Sequence, residues 1–145
     1  MTMTNHMLTG SIIALALQQP MLAVPLAFLS HFVLDALPHY GEKDSDYQFS
    51  QLSRAVIIID LLIAGCFLLW LITSGNLLLA VCAFAAASPD AVWGYRLLCF
   101  HFGKIAPKNA LTKFHSWVQW RERPWGLAVE FVYLVLAIGV FRGLQ

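Results

Sequence analysis

Charge is what this chain has least of. Asp, Glu, Lys and Arg make up 12% of its 145 residues, against about 25% in an ordinary soluble domain. With 59% hydrophobic residues and a mean hydropathy of +0.70, there is too little polar side chain to coat a water-facing surface. A bilayer as solvent removes that difficulty, so the composition predicts an integral membrane protein. The net charge of +1 offers none of the basic surface a nucleic-acid binder needs. No Lys or Arg precedes Lys43, which argues against the basic start of a cleaved secretory signal and predicts that the first apolar stretch is retained. Three cysteines, Cys66, Cys82 and Cys99, form no CxxC pair. They read as small packing residues rather than zinc ligands or a disulfide framework.

What remains is a series of apolar stretches, and the pattern predicts an all-α, polytopic membrane bundle in one domain, residues 1–145. Residues 4–18 predict a first helix of about 23 Å, slightly short of a full span. Residues 20–37 predict a second, with Pro20 in its first turn and a kink at Pro25. Residues 38–53 are polar and predict a loop outside the hydrocarbon. Residues 54–73 are the clearest transmembrane stretch, closed by a turn at Ser74-Gly75-Asn76. A fourth helix over 77–100 is expected to break or kink at Ser88-Pro89, and a last helix covers 125–142. Five helices are expected, with four spans as the alternative if residues 4–37 form one long helix. Arg96, Lys104, Lys108, Lys113, Arg121 and Arg123 cluster at or in one loop, which places it in the cytoplasm. Alternation then puts the 38–53 loop on the same side, in a multi-pass protein of the inner membrane.

This topology brings the polar residues to one level. Asp60 lies about 9 Å beyond Arg54, Asp90 about 9 Å before Arg96, and Glu130 about 8 Å beyond Trp125. His31 and Asp35 share a helix face four residues apart, and His39 follows just past Pro38, where it could fold back over that face. Imidazole and carboxylate at this spacing are a common way to hold a divalent ion. His6 sits at the start of the first helix. Residues 108–123 mix Trp and Phe with Lys and Arg, as an interfacial helix does, and could lean His115 into the site; His101 has less support. Each residue also has a plainer explanation: His31 packing with Asp35 bonded to a neighbour, a protonated Asp60 bonded to another helix, Ser88-Pro89-Asp90 as an N-terminal cap, and ordinary interfacial histidines. Taken together, Asp35, Asp60, Asp90 and Glu130 lack any intramembrane Lys or Arg to balance them. Either most are protonated or metal supplies the charge. The expected metal ligands are His6, His31, Asp35, His39, Asp60 and Asp90, around one or two zinc or manganese ions, with Glu130 and His115 as catalytic groups.

The run LSHFVLDALPHYG, preceded by a helix opening NHMLTG, resembles the predicted membrane-bound metal-dependent hydrolases of bacteria. The matching positions are His6, Ser30, His31, Asp35 and Pro89-Asp90, about a quarter of the chain. The Pro-Asp element follows the Ser-His helix here, whereas in that family it precedes it. The resemblance implies a membrane metal site and, beyond it, hydrolysis. The resulting expectation is a hydrolase at the cytoplasmic interface with membrane lipids around it and an amphiphilic substrate, a phospholipid or a polyprenyl phosphate, whose phosphate Arg121 or Arg123 would hold. A structural or partner-binding subunit, or a transporter of divalent cations or protons, uses the same acids without a nucleophile. Conduction needs polar residues through the whole membrane, and Leu68–Thr73 and Leu77–Ala87 offer almost none.

Overall fold

A computed structural model describes residues 1–42, 49–105 and 109–145; Lys43, Ser45 and Lys108 lie outside the described residues. All regular structure there is helical. The elements are α1 (Met3–Leu17), α2 (Pro20–Asp35), α3 (Gln51–Thr73), α4 (Leu77–Ala87), a 3-10 turn (Ser88–Asp90), α5 (Ala91–His101), α6 (Ala110–Val118) and α7 (Gly126–Gly143). Among the described residues three stretches are long and apolar enough to cross a membrane: α3, the continuous run Leu77–His101, and α7. The expected count of about five is therefore corrected. Helices α1 and α2, with 15 and 16 residues, fall short of a full span, and the basic segment adds α6 as a further helix.

Each boundary has a local cause. Ser50 caps α3, its hydroxyl accepting from the Ser53 amide at 3.1 Å. The chain leaves α3 through Gly75 at φ +77, the left-handed region that glycine adopts without cost. Pro20 occupies the first turn of α2, where its missing N–H has no helical partner to lose, and the helix continues across Pro25. At Pro89 the missing amide would have bonded the Ala85 carbonyl. The Ser88 hydroxyl donates to that carbonyl instead, at 2.8 Å. Ser88 is thus not the expected N-cap but ends α4, and the expected break is a single tightened turn between two helices that run on as one.

Helix α1 is the centre of the bundle, packed by α2, α3, α4 and α7. Its closest approach is to α4, where Gly10 lies so near the Cys82 carbonyl and Ala86 that a Cβ would collide with both. Ala14, Ala23, Ala27, Ala80, Ala83 and Ala86 are buried along the same contacts. Small residues are what allow helix backbones to close on one another where the surroundings are as apolar as the side chains. The outside is the reverse of a soluble protein: Ile58, Leu62, Val33 and Phe131 are exposed, while His6, His31, Asp35, His115 and Glu130 are buried. That inversion suits lipid rather than water as the surrounding medium.

Candidate metal centre

Since α1 and α2 form a tight antiparallel pair, His6 near the start of one faces His31 near the end of the other. Their rings stack with centroids 4.0 Å apart. Four residues on, Asp35 closes α2, and its carboxylate gathers five nitrogens. Oδ1 lies 2.6 Å from the Met1 nitrogen and 3.2 Å from His6 Nε2. Oδ2 lies 2.9 Å from His115 Nε2, 3.1 Å from Gln119 Nε2 and 3.2 Å from His31 Nε2. Asp90 enters from the turn between α4 and α5, with Oδ1 at 3.6 Å from His31 Nε2 and 3.7 Å from His115 Nε2.

One donor atom each from His31, Asp35, Asp90 and His115 fall within 4.8 Å of one another. Ligands about 2.0–2.1 Å from a tetrahedral ion stand about 3.3 Å apart. The edges His31–His115 at 3.0 Å, His31–Asp35 at 3.2 Å and His115–Asp35 at 2.9 Å lie near that value, with Asp90 slightly wider. The hydrogen bonding points the same way. His31 Nδ1 is 2.8 Å from the Ala86 carbonyl, which can only accept, so Nδ1 donates there and Nε2 is the ring nitrogen turned to the centre. Nε2 held against the carboxylates of Asp35 and Asp90 needs a proton or a cation between them. The carbonyl belongs to the disturbed turn around Pro89, so the irregular helix supplies the outer hydrogen bond that orients the ligand. The side chains of His31, Asp35 and His115 are fully buried, whereas Asp90 is 18% exposed and marks the open edge.

The other expected site residues stand elsewhere. Asp60 accepts the Met3 amide at 2.7 Å and the Thr4 amide at 3.0 Å, so it caps α1 from a neighbouring helix. Glu130 does comparable work, accepting Thr2 N at 3.0 Å and Tyr40 N at 2.9 Å. Both carboxylates accept from backbone donors at the positive end of α1, and Glu130 also ties down the Tyr40 amide beyond α2. His39 is turned away, its Nδ1 bonding the Leu37 carbonyl at 2.8 Å, and its backbone carbonyl accepts Arg123 N at 2.9 Å. Burial holds the His39 ring below the ordinary imidazole range, and the nearby Met1 ammonium adds to this. His6 stacks on His31 and reaches Asp35 Oδ1, but it is not one of the four clustered donors. Arg121 lies over the Trp120 ring and Arg123 bonds the Glu122 carbonyl, both exposed at the surface. His101 is exposed.

Sequence reasoning missed Gln119, the Ala86 carbonyl and Trp93, whose ring lies 5.6 Å from His115. Gln119 follows His115 by four residues, the spacing that pairs His31 with Asp35, and that signal was available. Asn5, 1% exposed, donates to the Glu130 carbonyl at 3.2 Å, leaving its Oδ1 without a partner.

Comparison of the chain with family models, with curated proteins and with solved structures finds no match.

Proposed function

We propose that this chain is a membrane-embedded, metal-dependent hydrolase of the inner membrane, spanning it several times and acting near the cytoplasmic interface on an amphiphilic substrate such as a phospholipid or polyprenyl phosphate. The observation that carries the reading is the His31–Asp35–His115 triangle with Asp90 at its open edge. Two imidazoles and a carboxylate are a zinc donor set, and manganese is the alternative. A divalent ion held there would supply Lewis acidity and a water that ionises near neutral pH. His31, Asp35 and His115 would hold the ion, Gln119 would steady the Asp35 oxygen that faces it, and Asp90 would take a proton from water at the open edge. The resemblance of Ser30-His31 and Asp35 to the bacterial membrane hydrolases supports the same class.

Two features favour an amphiphilic substrate. The acids lie at one end of the bundle, next to the basic segment. A groove of about 310 Å³ between α3 and α7, lined by Val56, Ile59, Ile63 and Phe131 with Asp60 and Glu130 beside them and none of the four clustered donors, is wide enough for an acyl or prenyl chain. The far half of the core, around Ala14, Leu71, Ala80 and Phe141, is apolar, which disfavours a conducting path.

Release of phosphate from lipid phosphates and phospholipids by metal-loaded protein in proteoliposomes tests this reading. Asp90→Asn is expected to keep the metal and lower kcat by about 10²–10⁴, the range of a lost general base. Complete burial of the other three donors favours a second reading, a closed structural metal site. Stoichiometric metal with no turnover on any phosphate-bearing lipid would overturn the hydrolase in its favour.

A further inference from the structure

Helix α6 contributes to the metal centre from one face and presents something different on the other. Thr112, His115 and Val118 are buried, at spacings of three residues, with Gln119 beside them. Away from them Trp117 is 73% exposed, with exposed Lys113 one turn earlier and Phe114, 46% exposed, at the edge of that face; exposed Trp120 and Arg121 follow the helix. Its main helical neighbour is α2, through Phe32, whose ring meets Phe114 at 5.1 Å and His115 at 5.8 Å. At 9 residues, α6 is too short to hold helical structure alone. Its fold therefore depends on what covers its two faces.

We propose that α6 is a membrane-anchored latch: an anionic bilayer surface covers its Phe114–Trp117 face, and metal capture by His115 on the opposite face stabilises the same docked position. This rests on the metal-centre reading above and goes beyond it, because it makes the bilayer part of the site. Aromatic rings beside Lys and Arg suit the headgroup boundary, where the rings enter the acyl region and the cations reach lipid phosphates. Phe102, which closes α5, and Trp125, which precedes α7, are exposed aromatics as well. Lys104, Lys113, Arg121 and Arg123 bring positive charge to the segment between α5 and α7, against Glu122, which selects an anionic surface. Coupling between two ligands of one position is reciprocal, so lipid that favours docking must tighten metal binding by the factor that metal tightens docking.

The test is Zn²⁺ titration of the full chain in nanodiscs of phosphatidylglycerol or phosphatidylcholine, with wild type beside Lys113→Gln/Arg121→Gln. An anionic surface concentrates Zn²⁺ for both proteins equally, so the difference between them reports the latch. Wild type is expected to gain at least about fivefold more affinity than the variant on going to the anionic lipid, the lower end of ordinary coupling. Tryptic cleavage after Lys113 of wild type in the anionic nanodiscs should also slow when Zn²⁺ is added and recover with chelator. Equal gains in both proteins, or cleavage indifferent to Zn²⁺, would overturn the latch and leave the metal centre standing. Absence of Zn²⁺ binding in either lipid would overturn both.

Discussion

Replacing Asp60 separates a metal ligand from a helix cap. Its two oxygens take the Met3 and Thr4 amides at 2.7 and 3.0 Å, two of the four donors that every helix start leaves without an intrahelical partner. In Asp60→Ala both amides lose their acceptor in partly buried surroundings. At about 1–3 kcal/mol for each unsatisfied donor, the variant should lose about 2–6 kcal/mol. Total stabilities of about 5–15 kcal/mol make this a large fraction. Asp60→Asn keeps one carbonyl oxygen and should recover about half of the loss, short by the charge–dipole contribution of about 0.3–1 kcal/mol. Reversible unfolding in mixed detergent gives the stability, and elemental analysis of the folded fraction gives the metal. Stability should fall in the order wild type, Asn, Ala, with metal per folded chain unchanged. Loss of metal from a folded Asp60→Ala protein of unchanged stability would refute the capping argument and return Asp60 to the ligand set.

Two further outcomes follow from the packing and the charges. Gly10→Val drives a side chain into the Cys82 carbonyl and Ala86; α1 must move off α4, at a cost of at least about 1–3 kcal/mol, visible as a lower unfolding midpoint. Burial depresses the His39 pKa from its ordinary 6.5 in the folded chain. As pH falls below 6.5 the unfolded chain takes up a proton that the folded chain refuses, so stability present above that pH is lost on acidification. His39→Gln should give a shallower decline in stability between about pH 6.5 and 5, with metal content unchanged; an unaltered slope would contradict the assignment.

Hydropathy makes the apolar helices legible, though not how many are long enough to span, and the depth of each acid follows from 1.5 Å per residue along them; α6 shows instead in its mixture of aromatic and basic residues. His31 and Asp35 were readable because a spacing of four fixes azimuth as well as depth. Asp60 and Glu130 have no such partner on their own helices: depth places them at the level of the site but does not say which way they face. Both face the start of α1, whose free amides needed acceptors. His39 lies past Pro38, where helical spacing no longer applies, and it bonds back to Leu37. The role of Ser88-Pro89-Asp90 was split in the opposite sense. Its sequence reads as a cap, yet Ser88 repairs the carbonyl that Pro89 leaves free, and Asp90 reaches the cluster.

Elemental analysis of the purified chain, after supplementation with zinc or manganese, tests the central claim most directly. The wild-type protein and a variant with Cys66, Cys82 and Cys99 all changed to Ala should each carry stoichiometric metal, while folded Asp35→Ala and His115→Ala should lose it, each removing a donor from the triangle around His31 Nε2. Wild-type protein without stoichiometric divalent metal, or metal lost with the cysteines and kept in Asp35→Ala, would contradict the account.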